Sequence, residues 1–412
     1  MECVLKDLIA VSKDGEWGKG EPFDDSVEML AIRGTDFEDI RFGSTTSTPR
    51  RHIAKRHADR KLLQPWDVII EAAGGTKNQI TGRTVLLRPQ LFSRSELPFT
   101  CASFSRFIRF NTELCDPAFM FWYLQHLYAS GLMHAYHTQH TGVARFQWTT
   151  FSEREPLALP PLPVQRRIAG ILSAYDELME NSQRRIRLLE AMARALYREW
   201  FVHFRFPGHE KLPRVASPLG DIPQGWEVMK VKDACHLTMG QSPKSEFYNE
   251  TGEGQPFHQG VTNFGERFPT DRLFCTVEGR VAEAGDILFS VRAPVGRMNI
   301  ADKKIIIGRG LSAIRHNDGH QAFLWEQLRN RFTEDDMMGN GAIFAAVTKD
   351  DMQGIELICP PSPLVVAATK HFEPIHTELG ALTKKIANLR RTRDLLLPRL
   401  LSGSIELATE KN

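Results

Sequence analysis

The chain has 412 residues, 42% hydrophobic and 25% charged, which places it among globular proteins large enough for two or three domains with their own cores. A net charge of +2 neither requires nor excludes nucleic acid, because a DNA reader needs only a local basic face. No window approaches the ~20 apolar residues of a membrane span, and MECVLKDLIAVSKDGEWG lacks the basic-then-apolar order of a leader, so a cytoplasmic location with no membrane is expected.

In chain order, the first clear pattern is WDVIIEAAGGTKNQITGRTVLLR from Trp66: an apolar strand, a glycine-bearing polar loop, Gly82-Arg83 and a second apolar run. A nuclease reading starts from Asp67 and Glu71, but Ala72 and Ala73 stand where a catalytic lysine is wanted, so structural roles are expected. His134, His137 and His140 lie three apart with no cysteine or acidic ligand beside them, which favours polar packing or surface placement over zinc. The six cysteines, Cys3, Cys101, Cys115, Cys235, Cys275 and Cys359, form no C-x-x-C pair and read as reduced, mostly buried thiols.

Pro160-Pro161-Leu162-Pro163 then opens a long helix. Ile168, Leu172, Tyr175, Met179, Ser182, Ile186, Leu189, Ala193, Leu196 and Trp200 alternate four and three apart, the spacing of a coiled-coil seam. Residues 206–225, rich in proline and glycine, read as a linker, and a new domain opens at Trp226. Within it, GDILFSVRAPVGRMNIADKKIIIGRGLSAIR from Gly285 repeats the strand–loop–strand phrase, with Gly308-Arg309 answering Gly82-Arg83. Pro360-Pro361-Ser362-Pro363 stands 200 positions after the first double proline (160 to 360). The helix behind it carries Ala368, Phe372, Ile375, Leu379, Leu382, Ile386, Leu389, Arg393, Leu396 and Leu400 at the matching places. Each seam has one polar exception, Ser182 and Arg393, for which register-setting, partner binding and simple tolerance all remain readings. TGVARFQWTTFSEREPLAL and NGAIFAAVTKDDMQGIELI precede the two double prolines in parallel.

The repeat unit is therefore a globular domain plus its helix. If the matched seams pair, the second domain starts where the first helix ends and finishes where the second begins, so the helices run antiparallel. The expectation is an α+β fold with two similar globular domains separated by two long helices of ~40 residues, on the order of 60 Å, pairing as an antiparallel coiled coil with pseudo-twofold symmetry. The expected domains are residues 1–158, a helical region 159–205, the linker, residues 226–358, a second helical region 359–402 and a tail 403–412.

These features resemble the specificity subunits of type I restriction-modification enzymes. The run PPLPVQRRIAGILSAYDELMENSQRRIRLLEAMARALYREWFVHF is similar to their central conserved region, and LLLPRLLSGSIEL to their distal one. GDILFSVRAPVG, IGRGLSAIR and, in the first half, AIRGTDFEDI resemble parts of their target recognition domains. The resemblance covers nearly the whole chain. It implies a non-catalytic DNA reader: each recognition domain takes one half of a bipartite, asymmetric sequence in double-stranded DNA, and the helices fix the unread spacer. It also implies two methyltransferase subunits docked on the helices, and restriction subunits in the full complex. S-adenosylmethionine, ATP and Mg belong to those partners, and no cofactor is expected on this chain. The absence of a G-x-x-x-x-G-K-[ST] loop fits that division.

Base reading draws on arginine or lysine to guanine and asparagine or glutamine to adenine. Candidates are Lys77, Asn78, Gln79 and Arg83 in the first domain, and Gln241, Lys244, Arg292, Arg297 and Arg309 in the second. A Gly-Arg shared by both halves suits phosphate contact or structure better than discrimination. Gly74-Gly75 and Gly339-Asn340-Gly341 suit tight turns, with close approach to DNA as the alternative. Arg166, Arg167, Arg184, Arg185, Arg187, Lys384, Lys385, Arg390 and Arg391 on the helices are assigned to solvated faces and partner docking, with phosphate contact as the rival. The competing function is a coiled-coil scaffold that binds proteins without sequence-specific DNA binding; an enzyme with an unfamiliar site is a third.

Overall fold

The computed structural model describes residues 2–75, 79–139, 143–332, 347–405 and 407. The chain forms two compact units, Met1–Ser182 with Lys385–Asn412, and Gln183–Lys384. Each has its own sheets, hydrophobic core and helix pair.

In the first unit the strands that build the site are β1 (Glu2–Val4), β2 (Ile9–Asp14), β3 (Ser26–Ile32), β4 (Val68–Glu71), β5 (Thr84–Leu86), β6 (Phe99–Cys101), β7 (Ser105–Phe110) and β8 (Pro156–Ala158). Strands β2, β7, β4 and β5 lie side by side in that order, all antiparallel. β3 pairs parallel with β6, and β1 closes antiparallel on β8. Val68, Ile69 and Ile70 are all fully buried because both faces of the sheet are covered, which turns alternation into a continuous apolar run. Val68 and Ile70 face a core shared with α1 (Pro117–Ala129), whereas Ile69 packs with Val85 and Phe107 on the other face. Asp116 caps α1 by accepting from Phe119 N at 2.8 Å, with Pro117 in the first turn. The helix α2 (Trp148–Arg154) precedes β8.

The second unit repeats this plan. β9 (Glu227–Lys230), β10 (Cys235–Met239), β11 (Gln255–His258), β12 (Ile287–Ser290), β13 (Met298–Ile300), β14 (Ile305–Ile307), β15 (Leu311–His316) and β16 (Glu356–Cys359) follow the same order. The sheet β10-β15-β12-β13 matches β2-β7-β4-β5, the parallel pair β11 and β14 matches β3 and β6, and β9 with β16 matches β1 with β8. The helices α4 (Gln321–Arg331) and α5 (Lys349–Gly354) stand where α1 and α2 stand.

Two long helices, α3 (Leu162–Tyr197) and α6 (Ser362–Leu401), each give one segment to each unit. In the first unit Ile168, Ala169 and Leu172 share a core with Leu397 and Leu400, and Asp176 meets Arg393. In the second, Arg185 pairs with Glu378, and Ala193 and Tyr197 share a core with Val365, Ala368 and Phe372. Numbers rise on one helix as they fall on the other, so the pairing within each unit is antiparallel. The seam positions Ile168, Leu172, Met179, Ala193, Phe372, Leu379, Leu382 and Ile386 are buried, and Tyr175, Ile186, Leu189, Leu196, Ile375, Leu389 and Leu396 are half-buried. Ser182 returns its hydroxyl to the Leu178 carbonyl at 2.8 Å, which satisfies it within its own helix.

Residues 206–225, read from composition as a linker, contain a short pairing of Arg214–Val215 with Ile222–Pro223. Phe206 and Ile222 are buried beside Phe201 and Trp226, so aromatic packing anchors this stretch. Cys101, Cys115, Cys235 and Cys275 are buried and free, and Cys3 and Cys359 are free and partly exposed. Among the described residues, no helix is long and apolar enough to cross a membrane.

Candidate nucleic-acid interface

Antiparallel pairing brings four chain segments to one end of each four-stranded sheet. In the first unit Glu71 lies opposite Ser105, Asp14 opposite Arg106 and Ile70 opposite Thr84. The loop after β4, the turn before β7 and the segment before α2 therefore meet. Ala72 N and Ala73 N donate to Phe104 O at 2.8 and 3.0 Å, Gly74 N to Ala144 O at 3.0 Å, and Phe146 N to Ala72 O at 2.9 Å. A concavity of about 660 Å³ opens there, lined by Phe104, Arg106, Arg145 and Trp148 among others. Phe104 is 59% exposed and Val143 54% exposed.

The second unit makes the same loop end. Val291 N donates to Gly310 O at 3.0 Å and Val347 N to Val291 O at 2.8 Å, the bonds that Ala72 and Phe146 make in the first. Gly240 N reaches Leu311 O at 2.9 Å and Gln241 N reaches Ile307 O at 3.0 Å. Arg309 N donates to Ser242 Oγ at 3.2 Å. Gln241, Lys244, Arg292, Arg297 and Arg309 are all exposed; the backbone bonds bring Gln241 beside the segment that carries Arg309, and Arg292 and Arg297 flank the turn between β12 and β13. In the first domain Gln79 is exposed and Arg83 half-buried; Lys77 and Asn78 lie outside the described residues, as do His140 and the Gly339-Asn340-Gly341 run.

Register corrects the pairing of Gly82-Arg83 with Gly308-Arg309. Glu71 N donates to Arg83 O at 2.8 Å and Gly82 N to Glu71 O at 3.0 Å; Ser290 N donates to Arg297 O at 2.9 Å and Gly296 N to Ser290 O at 3.1 Å. The counterpart of Gly82-Arg83 is thus Gly296-Arg297, before β13. Gly82 and Gly296 share left-handed φ values of 99° and 88°, the conformation that favours glycine at this hairpin turn. Gly308-Arg309 precedes β15 instead, where the first unit has the turn leading to Phe104.

The two equivalent arginines differ in what they face. Arg83 forks onto Glu71 through Nε and Nη2 at 2.9 and 2.8 Å, and that hydrogen bond raises its pKa despite the burial. Arg297 has Ser290 at the place of Glu71, and among the described residues no carboxylate lies within 4.0 Å of it. Among the described residues, one loop end presents a neutralised arginine and the other an arginine with no carboxylate partner.

Other sequence candidates take structural places. Asp67 accepts from Arg109 Nε at 2.8 Å and Nη2 at 2.7 Å, which leaves neither Asp67 nor Glu71 free for metal-dependent cleavage. His137 Nδ1 sits 3.0 Å from Thr81 Oγ1 and 3.2 Å from Thr81 N, and His134 is exposed. Sequence reasoning missed Phe104, Arg106, Arg145 and Trp148. Arg106 pairs with Asp14 at 2.7 Å and lies 5.4 Å from the Trp148 ring centre, a grouping set by strand register across about a hundred residues that no local motif announces.

With this geometry in place, comparison with known proteins identifies the family. A type I restriction modification DNA specificity domain matches residues 223–380. A putative type I restriction enzyme MjaX specificity subunit from Methanocaldococcus jannaschii is 30% identical over 306 residues, 73% of this chain and 71% of the relative. The MjaIX specificity subunit of the same organism is 25% identical over 313 residues, 69% of each chain. A solved structure of a type I restriction-modification S subunit from M. genitalium covers 97% of this chain and 95% of its own at 17% identity, with a TM-score of 0.61, and shares the fold. The two repeated α+β units, their paired long helices and the relative at 30% identity agree, and the chain belongs to the specificity subunits of type I restriction-modification enzymes.

Proposed function

We propose that this chain is the address-reading, non-catalytic part of its complex. Recognition domains of residues 1–158 and 226–358 each read one half of a split, asymmetric double-stranded DNA target with the loop end of the four-stranded sheet. The helical regions 159–205 and 359–402 set the spacer and dock two methyltransferase subunits, which bring S-adenosylmethionine and methylate adenine. Restriction subunits add ATP- and Mg-dependent cleavage of unmodified DNA.

One observation carries this reading. The two loop ends share a backbone frame yet differ in side chains, with Glu71 and Arg83 in one and Ser290 and Arg297 in the other. A common frame with divergent tips is what reading two different half-sequences requires, since base-edge contacts specify and the frame only positions.

The test is co-expression with a methyltransferase subunit in a methylation-free host, followed by genome-wide mapping of modified adenines. One split motif that depends on this chain is expected. A soluble complex that leaves no methylation and binds DNA without sequence preference contradicts the reading and favours the protein scaffold.

A further inference from the structure

Each unit contains a buried polar cluster that ties a long helix to the globular part. In the second unit His376 of α6 sits between Arg267 and Glu326. Arg267 Nη2 lies 2.8 Å from His376 Nδ1, and His376 Nε2 lies 2.8 Å from Glu326 Oε1. A guanidinium only donates, so His376 accepts at Nδ1 and donates at Nε2, as a neutral ring. Arg267 is 7% exposed and Glu326 3%, and the guanidinium lies 5.6 Å from the Trp325 ring centre. Burial pulls Arg267 down to about 10, still charged at neutral pH.

Arg267 belongs to a tight turn at residues 264–269, closed by Gly265 N donating to Phe268 O at 3.1 Å. That turn is bonded to β13: Ile300 N donates to Arg267 O at 2.9 Å, and Asn299 Nδ2 to Gly265 O at 2.8 Å. Strand β13 starts one residue after Arg297. On the helix side Phe268 lies over Gly380, where an added Cβ would come within 3.4 Å of the ring, and Lys384 Nζ is 5.3 Å from the ring centre.

The first unit fills the corresponding places with other chemistry. Asp176, 200 positions before His376, accepts from Arg41 Nε at 2.7 Å and from Arg393 Nη1 at 2.6 Å. Glu180, 200 before Gly380, pairs with Arg94 and Arg88. Arg88 stands two residues beyond β5 and also donates to the Arg41 carbonyl at 2.8 Å. In both units the link runs from the long helix to the strand that leaves the candidate loop. Apolar burial is non-directional, whereas charge-assisted hydrogen bonds between buried groups fix an angle.

We propose that Arg267–His376–Glu326 and Arg41–Asp176–Arg393 are orientation clamps, positioning residues that hold each recognition domain at one angle on its helix segments and so restrict the spacer length that the complex accepts. This rests on the half-site reading above. A tilt of about 10° on a lever of about 20 Å, the scale of a domain this size, moves a loop by about 3.5 Å, the rise of one base pair.

The test compares the full methyltransferase complex carrying wild-type chain, His376→Leu and His376→Gln, with modified adenines mapped across a genome. His376→Leu keeps both half-sequences and modifies sites with one base pair more or fewer in the spacer, about tenfold above wild type. His376→Gln, which accepts at its carbonyl oxygen and donates from its amide nitrogen, restores the single spacer. Should the leucine variant fail to assemble, Arg267→Lys, which keeps the charge and removes the planar guanidinium whose Nη2 reaches His376, gives the same relaxation. A single unchanged spacer in an assembled His376→Leu or Arg267→Lys complex, or altered bases within a half-site, overturns the clamp. A wild-type complex that yields no split motif overturns the half-site reading, and the clamp's role falls with it.

Discussion

Asp286 accepts two hydrogen bonds from Arg315, Nε to Oδ1 at 2.6 Å and Nη2 to Oδ2 at 2.9 Å, at the place in the second sheet where Asp67 holds Arg109 in the first. Each aspartate also accepts a backbone N–H from three residues earlier, Gln64 to Asp67 at 2.7 Å and Glu283 to Asp286 at 2.8 Å. The carboxylate thus locks a turn to a cross-strand arginine in both units. Asp67→Ala is expected to cost the first unit about 3–5 kcal/mol, because it strands a partly buried guanidinium. Asp286→Ala costs less, since the Arg315 side chain is 44% exposed against 27% for Arg109. Limited proteolysis that reports on each unit separately checks the order; equal losses would contradict it.

Arg83 and Arg297 occupy one structural position and should respond differently. Arg297→Ala is expected to weaken DNA binding by about 1–3 kcal/mol while leaving unfolding unchanged. Arg83→Ala uncovers buried Glu71 and is expected to lower the stability of the first unit. Binding titrations at several salt concentrations, run beside unfolding curves, separate the two effects.

His376 predicts an acid sensitivity of the second unit. Burial lowers its pKa, the hydrogen bond to Glu326 raises it and the Arg267 charge lowers it, for a net downward shift. The groups around it are Arg267 from the turn, Glu326 and Arg329 from α4, and Glu190 of α3, which pairs with Arg329 at 3.3 Å. A folded pKa below that of the unfolded histidine, about 6.5, means the stabilising contribution is complete above that pH and is lost as pH falls through the folded value. Protection of the second unit's amides against exchange, relative to the unfolded chain at the same pH, should fall on acidification below about pH 6.5 in wild type and less so in His376→Gln. Identical profiles would contradict the neutral-ring assignment.

Glu180 predicts a lower window for the first unit. Burial raises its pKa, but Arg94 and Arg88 outweigh that and hold the carboxyl below its usual range. The stabilisation is present above the unfolded value of about 4.3 and is lost as pH falls through the folded one. Glu180→Gln should flatten the acid limb of the first unit's unfolding below about pH 4.5; an unchanged limb would assign the acid loss to other groups.

The long helices were legible in the sequence because Ile168, Leu172 and Met179, like Phe372, Leu379 and Leu382, repeat one apolar spacing over many turns behind a double proline. The repeated domain was legible for the same reason of self-similarity. The strand equivalence was not, because Gly-Arg occurs three times in the second half, at Gly279-Arg280, Gly296-Arg297 and Gly308-Arg309, and only cross-strand register tells which one ends a hairpin. The clamps were hidden more deeply. Arg41 and Asp176 are 135 residues apart and Arg393 lies 217 beyond Asp176, so the sequence alone left the polar exception at Arg393 open between register, partner binding and tolerance.

The most direct measurement replaces residues 226–358 with the matching domain of another specificity subunit and maps modified adenines made by the full methyltransferase complex. The account predicts that one half of the split motif changes and the other stays as it was. A motif altered in both halves, or in neither, would contradict the assignment of one half-site to each unit.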